Sequence, residues 1–264
     1  KMDGESKRKL SKRKDPELAL DFYRQEGYPT ASVIEYLITL LNSNFEEWRI
    51  ANPNEDINKF PFSAKKMSVS GSLFDMDKFN DVSKNVISRM TAEEVTSLVT
   101  DWAEEFDEEL YKAILEDKEY ATKIFSIGRG GKKPRKDFAK FSEVKAYIGF
   151  FYNGLFDGKF EFPEVDKELM KEVLIKYREE YKTQPDMNSW FEHLCKVGEG
   201  LGFAPSTKAY KENPESFKGS PGDVSQIIRA AVTGRLNSPD LYSVMDIMGE
   251  DMVKERLNKA LESL

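Results

Sequence analysis

The stretch TAEEVTSLVTDWAEEF, residues 91–106, decides the fold of this chain. Thr91 with Glu94 three residues later is the pattern of a capping box, in which two side chains bond the free backbone N–H groups that begin a helix. Behind this start, apolar side chains recur every three or four residues, at Val95, Leu98, Val99, Trp102, Ala103, Phe106 and Leu110. This spacing predicts an amphipathic helix with one buried face.

Helix signals of the same kind recur on both sides of this stretch. Asp15 as an N-terminal cap, followed by Pro16, predicts a helix start, and Gly27 predicts its end. Residues 238–240 predict the start of another helix, which Gly249 ends. The helical period also returns at Leu169, Met170, Val173, Leu174 and Tyr177, and at Met252, Val253, Leu257 and Leu261. No alternating pattern predicts a strand with comparable strength. The sequence therefore predicts an all-α fold.

The composition is typical of a folded protein with few reactive side chains. Of its 264 residues, 33% are charged and 39% are hydrophobic. No apolar run approaches the roughly 18 residues of a membrane span, so no membrane segment is predicted. Cys195 and His193 are each the only residue of their type, which excludes a disulfide framework and a multi-thiolate zinc site. We expect a cytoplasmic monomer without zinc.

Positive charge is concentrated in two short stretches of an acidic chain. The net charge is -7, yet KRKLSKRKDPE (residues 7–17) and GRGGKKPRKDFAK (residues 128–140) each carry six basic residues. Glycine and proline oppose regular helix in the second stretch. It is therefore interpreted either as a solvated loop or as a loop whose Lys132 and Lys133 contact nucleic-acid phosphates.

Four segments resemble one enzyme family. KLSKR (residues 9–13) resembles the K-M-S-K-S signature of class I aminoacyl-tRNA synthetases, with leucine and arginine at two positions. GSLFDMDKFNDVSK (residues 71–84) resembles the Phe-Asp-x-x-Lys segment of glutamyl-tRNA synthetase, although the Trp and Asn that usually follow are absent. WFEHLCKVGEGLGF (190–203) and IIRAAVTGRLNSPDLYSVMDIMG (227–249) resemble its anticodon-binding end. The matches follow the family's order along nearly the whole chain.

This resemblance implies the C-terminal part of a glutamyl-tRNA synthetase with an elongated, all-helical architecture. It implies a signature loop and stem-contact region over residues 1–88, followed by two helical anticodon-binding units over 89–185 and 186–264. The family's His-x-Gly-His signature cannot occur in a chain whose only histidine is His193. We therefore expect the Rossmann domain and the amino-acid pocket to lie outside this chain, which alone would not aminoacylate tRNA.

The resemblance also implies roles for particular residues. Lys9, Ser11, Lys12 and Arg13 would form a loop on the ATP phosphates, where Lys12 stabilises charge that develops as glutamate is activated. The complete enzyme would use ATP and magnesium, and neither is expected on this part alone. The tRNA-contacting roles transfer to Arg135, Arg229, Arg235, Ser238, Pro239 and Leu241, with Lys132 and Lys133 on phosphates.

Three other functions share some of these features. A class I lysyl-tRNA synthetase also pairs such a loop with a helical anticodon cage, but the ending TGRLNSPDLYSVMDIMG (residues 233–249) argues against it. Glutaminyl-tRNA synthetase has a β-barrel in its anticodon region, which the helical patterns disfavour. A non-catalytic helical RNA-binding or scaffold protein is the alternative from a different class. Glutamate tRNA and glutamine tRNA both stay open as substrates of the complete enzyme.

Overall fold

Helices form nearly all of the regular structure in the computed structural model of this chain, and the all-α prediction is confirmed. The structure describes residues 1–3, 6–11, 13–67 and 72–264. The chain divides into two compact units, residues 1–148 and residues 149–264. The predicted functional boundaries at residues 88 and 185 stay predictions.

The first unit begins with two very short strands and continues as helices. The strands are β1 (Met2–Asp3) and β2 (Ser6–Lys7), paired antiparallel. The helices are α1 (Leu20–Glu26), α2 (Thr30–Leu41), α3 (Phe45–Ala51), α4 (Met76–Arg89), α5 (Ala92–Phe106), α6 (Glu108–Glu116), α7 (Lys118–Ser126) and α8 (Val144–Ile148). Short 3-10 turns lie at Pro16–Leu18, Ile57–Lys59, Ala64–Lys66 and Phe141–Glu143.

The second unit is built from five helices in the described part of the chain. They are α9 (Lys167–Glu180), α10 (Met187–Glu199), α11 (Thr207–Glu212), α12 (Pro221–Thr233) and α13 (Leu241–Ser263). Two 3-10 turns lie at Gly149–Phe151 and Pro214–Ser216. No helix in the described residues has both the length and the hydrophobicity needed to cross a bilayer.

The capping box that begins α5 forms as the sequence predicts. Thr91 N donates to Glu94 Oε2 at 2.7 Å, and Glu94 N donates to Thr91 Oγ1 at 3.1 Å. Val95, Val99 and Ala103 are fully buried on the face that packs against α6 and α7. Burying that apolar face holds the helix in place, because a helix of this length is only marginally stable by itself in water.

The first predicted helix is divided into two pieces. A 3-10 turn covers Pro16–Leu18, and α1 begins only at Leu20. Asp15 lies at the predicted cap position with Pro16 after it, but its side chain makes no cap hydrogen bond. The predicted end is confirmed, because Gly27 adopts φ 76° and its backbone lies against Phe141, where a Cβ atom would come within 2.6 Å.

An aromatic cluster joins α2 to α4 in the first unit. The rings of Tyr36 and Phe79 lie 5.1 Å apart, and Tyr28 lies 4.6 Å from Phe79. A buried polar contact accompanies them, in which Ser83 Oγ donates to Ser32 Oγ at 2.9 Å. Because buried hydroxyls need partners, this pair also fixes the register of the two helices.

Helix α12 is the centre of the second unit. It packs against α9, α10 and α13, and it begins with a second capping box, formed by Ser220 and Asp223. The predicted start of the next helix is confirmed, with Asp240 as the cap of α13. The predicted helix end at Gly249 is confirmed. Gly249 has non-helical backbone with φ 76°, so it divides α13 into two helices joined at a kink, and the second runs on to Ser263.

Candidate nucleic-acid interface

The corner between α12 and α13 brings three predicted site residues together. Arg229 lies one turn before the end of α12, and its Nη1 donates to Pro239 O at 2.9 Å and to Ser238 O at 3.4 Å. The same nitrogen also donates to Ser238 Oγ. These bonds hold the guanidinium against the loop that precedes α13, so the arginine has a fixed orientation at the corner.

Two further predicted residues flank this corner. Leu241 is only 1% exposed, so in this structure it contributes to the core. Arg235 is half-buried, and its guanidinium carbon lies 5.6 Å from the centre of the Phe150 ring. That distance is within the range of a cation–π contact, so the ring orients the guanidinium. Because Arg235 is only half-buried, it is still partly accessible to a ligand.

The basic loop after α7 contains the other predicted tRNA contacts. Lys132 and Lys133 are exposed. Arg135 donates to Asp137 through Nε and Nη2, at 2.9 and 2.6 Å, and Tyr147 donates to the same carboxylate at 2.8 Å. The hydrogen bond to Asp137 raises the pKa of Arg135. Arg135 is therefore held close to the loop, while the two lysines extend into solvent.

The N-terminal basic stretch is anchored by one carboxylate. Arg8 donates to both oxygens of Asp15, at 2.6 and 2.7 Å, and Ser11 N donates at 2.7 Å. The hydrogen bonds from Arg8 hold the pKa of Asp15 well below its usual range. Asp15 is almost fully buried, so its charge requires such partners.

Three of the four predicted ATP-contacting residues lie in the described chain near this anchor. Lys9 and Arg13 are exposed and Ser11 is half-buried, while Lys12 lies outside the described residues. Exposed cationic side chains are the chemistry that phosphate oxygens need, so the described part of the loop fits an ATP phosphate contact. In the described part of the chain, no three His, Cys, Asp or Glu residues are grouped so that they could hold a metal ion.

Comparison with known proteins identifies the family. Residues 135–261 match the anticodon binding domain family. A glutamate–tRNA ligase from Acetivibrio thermocellus is 48% identical over 99% of this chain, and one from Sorangium cellulosum is 40% identical over 97%. The chain belongs to the glutamate–tRNA ligase family. Glutamate–tRNA ligase is another name for glutamyl-tRNA synthetase, so the resemblance read from the sequence is confirmed.

This chain spans about half the length of the glutamate–tRNA ligases that it matches, 48% of the first and 46% of the second. A crystal structure of a glutamate–tRNA ligase from Elizabethkingia meningosepticum aligns with 98% of this chain and 49% of its own, with a TM-score of 0.61 and 19% identity. At that identity the structural likeness supports the fold alone.

Several contacts in the described part of this chain could not be found by sequence reasoning. Asp15 lies at a predicted cap position, yet its carboxylate anchors Arg8. The sequence shows Arg129 only as one charge of a basic loop, yet it donates to the carbonyls of Phe125, Ile87 and Met90. The only signal in the sequence is an arginine beside two glycines. It does not identify the acceptors, because Ile87 and Met90 lie 42 and 39 residues away along the chain.

Proposed function

We propose that this chain is the tRNA-binding part of a glutamate–tRNA ligase, whose complete chain joins glutamate to tRNA with ATP. One observation carries the proposal. The Arg229 guanidinium meets Ser238 and Pro239 at the α12–α13 corner, inside the segment that matches the anticodon binding domain family. Family membership supports the choice of glutamate and of tRNA as substrates.

The corner has features suited to a base of a single-stranded RNA loop. An arginine presents five N–H donors in a plane, and bonds from Nη1 to the backbone fix that plane before RNA arrives. Pre-fixing the side chain lowers the entropy cost of a base contact. We propose that Arg229 reads a base edge, with Ser238 and Pro239 shaping the pocket and Arg235 beside it. Leu241 would act from the core, by supporting the pocket.

The loop after α7 would add contacts of a different kind. Lys132 and Lys133 are exposed ammonium groups that suit phosphates, which contribute affinity without sequence information. Arg135 is the candidate for a further base contact. To make that contact, some of its guanidinium N–H groups would have to bond RNA instead of Asp137.

The signature loop would serve the ATP half of the reaction. Lys9, Lys12 and Arg13 would contact the phosphates, Ser11 would orient the loop backbone, and magnesium would accompany the ATP. ATP supplies the leaving group that makes glutamate reactive. The chain's own residues would hold the phosphates and stabilise negative charge as it develops.

The remaining expectations belong to the same proposal. They are the stem-contact region over residues 1–88, the anticodon-binding units over 89–185 and 186–264, a Rossmann domain elsewhere in the protein, a monomer, and a cytoplasmic location, where tRNA is charged.

The test is binding of two tRNAs by the 264-residue chain. One carries the glutamate anticodon and the other is the same tRNA with a changed anticodon. We expect the first to bind more tightly, and Arg229→Ala to remove about 1–3 kcal/mol of the difference, the value typical of a bidentate arginine–base contact.

Lys133→Ala is the matched control, because it should weaken both tRNAs equally. If the unaltered chain does not distinguish the two tRNAs, the anticodon proposal is wrong. If it distinguishes them and Arg229→Ala leaves their ratio unchanged, another residue reads the base.

A further inference from the structure

A cleft of about 530 Å³ in the first unit is lined by basic residues. It lies between the end of α4, the start of α5 and the loop after α7. Arg89, Arg129 and Lys132 line it, and none of the described residues that form its walls is acidic. A cleft of this volume is within the range of ligand sites in general. In a chain with net charge -7, such a concentration of positive charge favours an anionic ligand.

Arg129 fixes the loop on one side of the cleft. Its Nη1 donates to Ile87 O at 2.6 Å and to Met90 O at 3.1 Å, and its Nε donates to Phe125 O at 2.9 Å. The first two acceptors lie at the C-terminal end of α4, which carries partial negative charge. Arg129 therefore holds the loop against α4 and fixes the position of the backbone from which the Lys132 side chain extends.

The two glycines after Arg129 leave the backbone uncovered. Gly130 has φ 75°, which favours glycine, and a Cβ atom at Gly130 or Gly131 would meet nothing within 4 Å. Both glycines line the cleft. A ligand can therefore approach the main chain here, and the exposed Lys132 side chain follows directly.

Arg89 forms part of the cleft wall and is held by a buried carboxylate. Its Nη2 donates to Glu35 Oε1 at 2.6 Å, and the side chain is 21% exposed. Glu35 also pairs with Arg49, at 2.9 Å, and its own side chain is only 8% exposed. Two cations on one carboxylate leave a net positive charge at this place, and the pairing limits the rotamers that Arg89 can adopt.

We propose that this cleft binds a phosphodiester group of the tRNA backbone, with Arg89 and Lys132 as the contacting residues. Arg129 and Glu35 are positioning residues, the first for the loop and the second for Arg89. The inference rests on the proposed tRNA binding and adds a contact outside the anticodon corner. RNA is favoured over a small anion because the cleft is far larger than one phosphate group and its glycine backbone is open.

The test is the salt dependence of tRNA binding by the complete chain. Each phosphate contact releases counterions, so Arg89→Gln and Lys132→Gln should each reduce the slope of log affinity against log salt by about 0.7–0.9. Between 50 and 200 mM salt, each variant should then lose about threefold less affinity than the unaltered chain does. Lys112→Gln is the matched control. Lys112 is an exposed lysine on α6, paired with Glu108 and outside the cleft, and its slope should not change.

A double-variant cycle tests the positioning role of Arg129. If Arg129 places Lys132, Lys132→Gln should cost little affinity once Arg129→Gln is present, whereas independent residues would give additive losses. Additive losses would remove Arg129 from the proposal. Circular dichroism checks that each variant is folded. If Arg89→Gln unfolds because Glu35 loses a partner, Lys132→Gln decides the question, since that lysine is exposed.

The outcomes separate this inference from the proposed function. Unchanged slopes for Arg89→Gln and Lys132→Gln, with anticodon discrimination intact, would overturn the cleft and the phosphate contact of Lys132, and would leave the anticodon part of the proposed function standing. Reduced slopes without anticodon discrimination would support the cleft and reject the anticodon corner. Inorganic phosphate at matched ionic strength should not displace tRNA. If it lowers affinity in the unaltered chain but not in Lys132→Gln, the cleft is a small-anion site and the inference is wrong.

Discussion

Gly234→Ala should destabilise the second unit more than a glycine replacement with the same backbone angle elsewhere in that unit. Gly234 ends α12 with φ 75°. A Cβ atom there would lie 2.5 Å from Lys159 O and 2.9 Å from the Phe156 ring. Glu161 N also donates to Gly234 O at 3.0 Å. The substitution therefore combines backbone strain with a collision against main chain that another hydrogen bond holds in place.

The size of the effect follows from these two causes. Left-handed backbone costs a residue with a Cβ roughly 1–2 kcal/mol, and overpacking costs a further 1–3 kcal/mol or so. Gly234→Ala should thus cost about 2–5 kcal/mol. Gly158 has φ 72°, and a Cβ atom there would meet nothing within 4 Å. Gly158→Ala should cost only the strain, about 1–2 kcal/mol.

Hydrogen exchange of the α12 amides, followed by mass spectrometry in a urea series, measures this difference within the second unit. The gap of about 1–3 kcal/mol corresponds to roughly 5- to 150-fold faster exchange in Gly234→Ala than in Gly158→Ala. The neighbouring Arg235 should move as well, so tRNA affinity should fall in Gly234→Ala alone. Equal exchange rates in the two variants would refute the reasoning. They would mean that the backbone at Lys159 moves away from the added Cβ atom without a loss of stability.

Three further predictions concern the proposed contacts. Ser238→Ala should cost about 0.5–1.5 kcal/mol of stability, because Arg229 loses the Ser238 hydroxyl as an acceptor and keeps Pro239 O. An unchanged midpoint of urea unfolding would contradict this. Because the folded pKa of Asp15 is lowered, its pair with Arg8 should be fully present above about pH 4 and lost only as the pH falls further. An NMR titration of the Ser11 amide checks this, and a midpoint at pH 4 or above would argue against the pair. In the complete enzyme, Lys12→Ala should slow ATP-dependent glutamate activation far more than it weakens glutamate binding, and equal losses would remove Lys12 from the transition state.

Local sequence patterns were a good guide to the helices. The capping box at Thr91 and the apolar period behind it act within a few residues of one another, so they can be read without knowing the rest of the fold. The same holds for Asp240, which caps α13. It holds as well for Gly249, where glycine readily adopts the positive φ of 76° that separates the two helices of α13.

The site could be predicted in part. Family resemblance pointed to Arg229, Ser238 and Pro239 together, and the structure places them in contact. It did not reveal that Leu241 is almost fully buried or that Arg135 pairs with Asp137. Whether a side chain points to solvent, to core or to a counter-charge depends on neighbours that several helices bring to it.

The sequence by itself determined the helical fold class, the helix starts at Thr91 and Asp240 and the two concentrations of positive charge, because periodicity, caps and charge runs are properties of neighbouring residues. Only the tertiary structure decided how those charges are used. Arg8 pairs with Asp15, and Arg129 donates to a carbonyl at the end of α4. Outside the two stretches, Arg89 pairs with Glu35. A buried or half-buried cation must find an acceptor that helix packing brings within hydrogen-bond distance, and no local pattern specifies which acceptor that will be.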